Sequence, residues 1–148
     1  GARRKIGDAV FDRYFKFSFV RNPWARVVSL YFRNDGEQMR DKMSFEEFVD
    51  WIQCSSDTSV FISGKKNQRD WFLDENGQEI LDFVGKFETL QSDWNIIASK
   101  IGAPKELPHL NEGIDKLPYT DYYTAKTQDI ISAKFKTDIE RFEYTFGQ

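Results

Sequence analysis

The stretch that decides the fold runs from Phe17 to Tyr31 and reads FSFVRNPWARVVSLY. Its aromatic and β-branched beginning predicts a buried strand over Tyr14–Val20, followed by a turn. Asn22 is a favoured N-cap and Pro23 suits the first position of a helix, so a helix is predicted from there to Phe32. A strand that leads directly into a helix is the repeating unit of α/β folds.

Two further segments have the same kind of local signal. Ser44 and Glu47 form a capping box ahead of apolar residues spaced three and four apart, which predicts a second helix. The turn signal at residues 74–77 lies between two apolar runs and predicts a hairpin that leads into a second strand, which begins at residue 80 and ends at residues 85–88.

The last third of the chain is predicted to be mainly helical. A helix from Ser92 to Ile101 has Trp94, Ile97, Ala98 and Ile101 on its apolar face and is stopped by Gly102. Residues 120–142 have apolar side chains at helical intervals, as in one long amphipathic helix or a broken pair. Strands that alternate with helices predict an α/β fold with parallel strands.

Composition limits the classes of function. The chain has 148 residues, which predicts one domain, and its 21 basic against 24 acidic residues disfavour binding to nucleic acid over a wide surface. One cysteine, Cys54, and one histidine, His109, argue against disulfide frameworks, zinc sites and multi-histidine metal clusters. No stretch approaches the roughly 20 apolar residues that cross a bilayer.

A local anion site is predicted where the first strand meets its helix. Arg21 leaves the strand end just before a capped helix, where unpaired N–H groups and the helix dipole favour negative charge and a guanidinium adds a bidentate fork for phosphate. Asn22, Arg26, Ser29 and Arg33 follow at helical spacing and form one polar stripe. The alternative from periodicity alone is a solvated helix face with Arg21 in a structural ion pair.

These residues resemble a known family. The strand, the sequence Val-Arg-Asn-Pro at residues 20–23 and a serine eight residues after Arg21 resemble the 3′-phosphate-binding element of sulfotransferases that use 3′-phosphoadenosine 5′-phosphosulfate (PAPS). The similarity is closest to the carbohydrate sulfotransferases and their bacterial relatives. Other blocks resemble that family in the expected order, at residues 70–77, 82–90, 107–111, 119–123 and 138–142.

The resemblance implies a fold and a set of roles. The fold would be a P-loop-NTPase-like parallel sheet flanked by helices, and the co-substrate would be PAPS, with no metal. Arg21 and Ser29 would bind the 3′-phosphate of the nucleotide, and Arg26 would either join them or pair with an acidic neighbour. His109 and Asn111 would contact the nucleotide or the acceptor, or would be ordinary hydrogen-bonded loop residues.

Three other features have two interpretations each. Glu88, in the family block at the end of the second strand, would act at the site or fix a neighbouring loop. The cluster of Lys65, Lys66 and Arg69 would attract an acidic acceptor such as a glycan or would be a solvated loop. The acidic segment at residues 74–77 lacks EF-hand spacing and is interpreted as a turn rather than a calcium loop.

The family's loop for the 5′-phosphosulfate has no recognisable counterpart. The Gly-Lys pair at residues 63–66 follows no buried strand and precedes no helix pattern, so it fails the context test. The chain is therefore expected to lack the first strand-loop-helix unit of the domain. Because unpaired strand edges favour pairing with another chain, association into homo-oligomers or low stability is predicted.

The leading prediction is sulfuryl transfer from PAPS to the hydroxyl of an acceptor, most simply a carbohydrate. The alternative is a non-catalytic nucleotide- or glycan-binding module derived from the same fold. An RNA-binding domain ranks last because of the net charge of −3. The resemblance leaves the localisation open between the bacterial cytoplasm and the Golgi lumen.

Overall fold

The computed structural model describes residues 7–33, 39–54, 66–107 and 117–148. Within them the helices and strands are, in chain order, α1 (Asp8–Phe11), β1 (Phe17–Val20), α2 (Pro23–Tyr31), α3 (Phe45–Cys54), β2 (Phe83–Lys86), α4 (Leu90–Ile101), α5 (Ala125–Lys134) and α6 (Lys136–Phe142). Short 3-10 helices lie at Met39–Asp41, Arg69–Phe72, Phe87–Thr89 and Tyr119–Tyr122. The chain divides into two compact units, one made of Gly1–Val20 and Phe72–Leu110, the other of Arg21–Trp71 and Asn111–Gln148.

The first unit contains the sheet. Strands β1 and β2 pair in parallel, with Phe17 opposite Phe83 and Val20 opposite Lys86. The described residues thus form an α/β structure with a two-stranded parallel sheet and flanking helices, as predicted. Whether the sheet is P-loop-like and lacks a first unit stays a prediction.

Strand β1 is shorter than its sequence pattern predicts. The strand begins at Phe17 rather than Tyr14, and the N–H of Lys16, just before it, bonds to a side chain rather than to a backbone carbonyl. The Lys16 N–H donates to Asp82 Oδ2 over 2.8 Å, and the Asp82 N–H donates to the Lys16 carbonyl over 2.7 Å. These hydrogen bonds fix where the strand begins, and the alternation of apolar and polar residues in the sequence does not mark Phe17 as that position.

Helix α4 packs against this sheet through aromatic and small side chains. The rings of Phe17 and Trp94 lie 6.1 Å apart, and Ile97 is fully buried. The helix ends as predicted at Gly102, whose left-handed φ of 71° suits a glycine. The prediction that Ile101 lies on the buried face is wrong, since its side chain is 44% exposed.

The acidic segment at residues 74–77 is a turn, as interpreted from the sequence. Asp74 Oδ1 accepts hydrogen bonds from the N–H groups of Asn76 and Gln78, at 2.8 and 2.9 Å. The predicted hairpin is reduced to a single antiparallel bridge between Leu73 and Glu79. The residues before it form a 3-10 helix instead of a first hairpin strand.

The second unit is a helical core. The predicted capping box opens α3, because the Ser44 N–H donates to Glu47 Oε2 over 2.7 Å and the Glu47 N–H donates back to Ser44 Oγ over 3.3 Å. Fully buried apolar side chains of α2, α3, α5 and the residue after α5 form this core, and they include Val27, Phe48, Val49, Ile52, Ile131 and Phe135.

The C-terminal segment is the broken pair rather than one long helix. A capping box of Thr124 and Thr127 opens α5, and the chain then bends at Phe135 before α6. Tyr123, just before α5, donates from its hydroxyl to the Trp24 carbonyl over 2.9 Å. Burial raises the pKa of Tyr123, so this phenol stays a neutral donor.

Candidate functional site

Arg21 comes directly after β1 in the chain and two residues before α2. Its side chain is half-buried, and its backbone is held by one side chain, that of Gln68. The Arg21 N–H donates to Gln68 Oε1 over 2.9 Å, and Gln68 Nε2 donates to the Arg21 carbonyl over 2.8 Å. The Gln68 amide thus makes the two backbone hydrogen bonds that a neighbouring strand would make if Arg21 were part of β1.

The N–H groups at the start of α2 are already hydrogen-bonded to the N-cap residue, Asn22. Asn22 Oδ1 accepts from the N–H groups of Trp24 and Ala25, at 3.1 and 3.3 Å, and the Arg26 N–H donates to the Asn22 carbonyl over 2.8 Å. The expectation of unpaired N–H groups is therefore wrong for these three residues. The helix dipole still favours an anion, but hydrogen bonds to that anion must come from side chains.

Ser29 offers such a side chain further along α2. It lies six residues after Pro23, which places it about 9 Å along the helix axis. Its side chain is half-buried, and within the described ranges its hydroxyl makes no hydrogen bond. An anion that contacts both Ser29 and the guanidinium of Arg21 would therefore lie along the flank of α2, not at its end.

Arg26 has different contacts from those expected of a phosphate ligand. Its Nη1 donates to the Lys66 carbonyl over 3.3 Å, and its guanidinium lies 5.8 Å from the centre of the Phe135 ring. Burial lowers the pKa of Arg26, and the charge of Asp138 partly offsets this shift. The two interpretations from the sequence, a phosphate ligand or a partner of an acidic neighbour, both stay predictions.

Asp138, the first residue of the family block at residues 138–142, is a fully buried carboxylate for which the sequence predicted no role. It accepts from the N–H groups of Gln68 and Arg69, at 2.6 and 3.0 Å, and from Gln68 Nε2 at 3.4 Å. One sequence signal could have found it, because Asp138 shares a helical face with the buried Phe135 and Phe142. Gln68 has no such signal, since it stands in a polar stretch without periodicity.

The other predicted site residues are dispersed or lie elsewhere. Glu88 is exposed in the 3-10 helix that follows β2. Lys66 is exposed, with its Nζ 5.6 Å from the centre of the exposed Trp71 ring, and Arg69 is half-buried. His109, Asn111, Lys65 and the Gly-Lys pair at residues 63–66 lie wholly or mainly outside the described residues.

In residues 7–33, 39–54, 66–107 and 117–148, no group of three or more His, Cys, Asp and Glu side chains could hold a metal ion. No helix in these ranges is both long enough and apolar enough to cross a membrane.

The sequence is similar to that of a known protein family. Residues 2–145 match the model of the sulfotransferase family, so the chain belongs to that family. A protein of Archaeoglobus fulgidus, described only as uncharacterized, is 35% identical over 107 residues, which is 71% of this chain and 82% of that protein. No solved structure matches the chain. Family membership supports a sulfotransferase-type function.

Proposed function

We propose that this protein transfers a sulfuryl group from PAPS to a hydroxyl group of a carbohydrate acceptor. The proposal rests on one arrangement in a chain of the sulfotransferase family. Arg21, with its backbone held by Gln68, stands at the junction of β1 and α2, and the Ser29 hydroxyl lies two turns along α2.

Arg21 and Ser29 would bind the 3′-phosphate of the nucleotide. A guanidinium presents two parallel N–H donors to phosphate oxygens, which a lysine cannot do, and a serine hydroxyl adds a third donor. A phosphate that contacts both groups would lie beside α2 rather than at its capped start. We assign Arg26 to the support of residues 66–68, because its guanidinium contacts the Lys66 carbonyl and faces the charge of Asp138.

The transfer itself needs a base and cationic groups. A bond forms between the acceptor oxygen and sulfur, the bond from sulfur to the 5′-phosphate oxygen breaks, and the acceptor proton passes to the base. Cations stabilise the charge that builds on the leaving phosphate. In this reaction Arg21 and Ser29 would orient the nucleotide, and His109 and Asn111 are assigned to nucleotide or acceptor on the family resemblance.

The test is calorimetric binding of adenosine 3′,5′-bisphosphate and of 5′-AMP, which lacks the 3′-phosphate. Arg21→Ala should weaken binding of the bisphosphate about 10- to 100-fold, as expected for the loss of a charge-assisted hydrogen bond of about 1.5–3 kcal/mol. Binding of 5′-AMP should change little. Equal affinity of the unmodified protein for the two nucleotides would refute the 3′-phosphate assignment.

A matched control separates this contact from a general effect of charge. Arg141→Ala removes one positive charge from an exposed position in α6 and should leave both affinities within error. Ser29→Ala should weaken binding of the bisphosphate by a smaller factor, about 2- to 10-fold, because a neutral hydrogen bond contributes about 0.5–1.5 kcal/mol.

A non-catalytic nucleotide- or glycan-binding module is the second candidate. It is favoured because no segment of this sequence resembles the family's loop for the 5′-phosphosulfate. An assay with sulfur-labelled PAPS and a mixture of glycans separates the two candidates. Labelled glycan in the presence of this chain refutes the module, whereas nucleotide binding without any transfer supports it.

A further inference from the structure

We propose that Gln68, oriented by the buried carboxylate of Asp138, is the positioning residue that aims Arg21 at its ligand. This inference rests on the proposed function, because it takes the 3′-phosphate to be the ligand of Arg21. It assigns a role to two side chains that would not touch the nucleotide themselves.

Gln68 makes two hydrogen bonds to the backbone of Arg21. Arg21 lies outside both β1 and α2, so no helix or strand fixes its backbone. The Gln68 amide bonds both the N–H and the carbonyl of Arg21, at 2.9 and 2.8 Å, and thereby fixes the peptide planes on either side of its Cα atom. The direction of the Cα–Cβ bond, and hence the reach of the guanidinium, follows from those two planes.

The neighbouring residue restricts Arg21 from the other side. Asn22 is the N-cap of α2 and precedes Pro23, which keeps it out of the helical region. Its Nδ2 also donates to the Thr145 carbonyl over 3.0 Å, so the cap is tied to the C-terminal segment. Arg21 is thus the one residue between β1 and the cap, and Gln68 supplies its backbone partners.

Asp138 sets the orientation of the Gln68 side-chain amide. The two ends of this group differ chemically, and Gln68 would bond Arg21 correctly in only one of its two flipped states. Asp138 selects that state, because a carboxylate can accept from Nε2, at 3.4 Å, but cannot donate to Oε1. Asp138 also accepts from the Gln68 N–H over 2.6 Å, which holds the backbone of the same residue.

Burial makes this arrangement rigid. Asp138 is fully buried and Gln68 is only 9% exposed, so water does not compete freely for these hydrogen bonds. The Asp138 N–H in turn donates to Asn67 Oδ1 over 3.3 Å. Asp138 of α6 therefore helps to fix the backbone of Arg21, which lies more than 100 positions earlier in the chain.

The experiment measures selectivity for the 3′-phosphate, defined as the Kd for 5′-AMP divided by the Kd for adenosine 3′,5′-bisphosphate. Gln68→Met keeps the length of the side chain and removes both bonds to Arg21, and Asp138→Asn lets the Gln68 amide flip. Each should reduce the selectivity about tenfold, since small displacements of a binding group cost at least that much. The Kd for 5′-AMP should stay within twofold of the unmodified protein.

Two comparisons separate positioning from loss of stability. Ile131→Val shortens a fully buried side chain of α5 and should lower stability without changing the selectivity. In the Arg21→Ala background, Gln68→Met should cause no further loss of selectivity, because its effect passes through the guanidinium that is already gone.

The outcomes distinguish this inference from the proposed function. If the unmodified protein has no selectivity, or Arg21→Ala keeps it, the proposed function fails. If Arg21→Ala loses the selectivity while Gln68→Met and Asp138→Asn keep it, only the positioning role fails. Unfolded protein in both of these variants would assign the pair to stability alone and would also overturn the positioning role.

Discussion

Replacement of Gly85 by alanine should destabilise the sheet through a steric clash rather than through backbone strain. Gly85 lies in β2 directly opposite Phe19 of β1. A Cβ atom at this position would come within 2.5 Å of Phe19 Cε1 and 3.2 Å of Asp93 Cβ, both closer than ordinary van der Waals contact. The glycine is therefore required by the close approach of a ring, and its side-chain space is already filled.

The size of the effect follows from what has to move. Phe19 would have to tilt its ring, and movement of Asp93 would disturb the hydrogen bond of 2.7 Å from the Lys86 N–H to its Oδ2. Overpacking of this kind costs about 1–3 kcal/mol, and the alanine recovers about 0.4–1 kcal/mol by restricting the unfolded chain. We expect the free energy of unfolding to fall by about 1–2 kcal/mol.

Urea denaturation of four proteins measures this effect: the unmodified protein, Gly85→Ala, Phe19→Ala and the double variant. Removal of the Phe19 ring vacates the space that the new methyl group needs. Gly85→Ala should therefore cost little or nothing in the Phe19→Ala background. An equal loss of stability in both backgrounds, or no loss in the unmodified one, would refute the steric argument.

Three further predictions concern the second unit. The Ser44 N–H and hydroxyl lower the pKa of Glu47, so this carboxylate stabilises the fold above its unfolded pKa and ceases to do so as the pH falls through its folded pKa. Ser44→Ala should raise the Glu47 pKa in an NMR titration, and an unchanged value would contradict this. Tyr123→Phe removes the hydroxyl that donates to the Trp24 carbonyl and should cost about 0.5–1.5 kcal/mol in denaturant unfolding, whereas unchanged stability would refute the role of this bond. Lys126→Ala breaks an exposed ion pair to α3 and should leave the unfolding midpoint unchanged, so a clear drop would show that the pair matters.

Sequence reasoning predicted the elements whose signals are local. Asn22 and Pro23 begin α2, the capping box at Ser44 begins α3, and Gly102 ends α4, as expected. Each of these signals acts through hydrogen bonds or dihedral angles within about four residues, so the sequence around the boundary contains the whole cause.

The errors arise where the partner is distant in the chain. The start of β1 moved to Phe17 because Lys16 pairs with Asp82, and Ile101 is exposed although its spacing resembles that of Ile97. A helical period shows that one face is apolar but not how far the neighbouring element extends along it. An exception is the start of α2, where the N–H groups expected to be unpaired are bonded by the adjacent Asn22 cap, which the sequence had already indicated.

The candidate site divides in the same way. The sequence alone determines that Arg21 follows a strand, that a capped helix comes next and that Ser29 lies two turns along it, because spacing within one helix fixes these relations. The tertiary structure decides that Gln68 and Asp138 hold the Arg21 backbone and that Arg26 contacts the Lys66 carbonyl. These contacts join positions 40 to 70 residues apart, so tertiary packing, rather than any local pattern, brings them together.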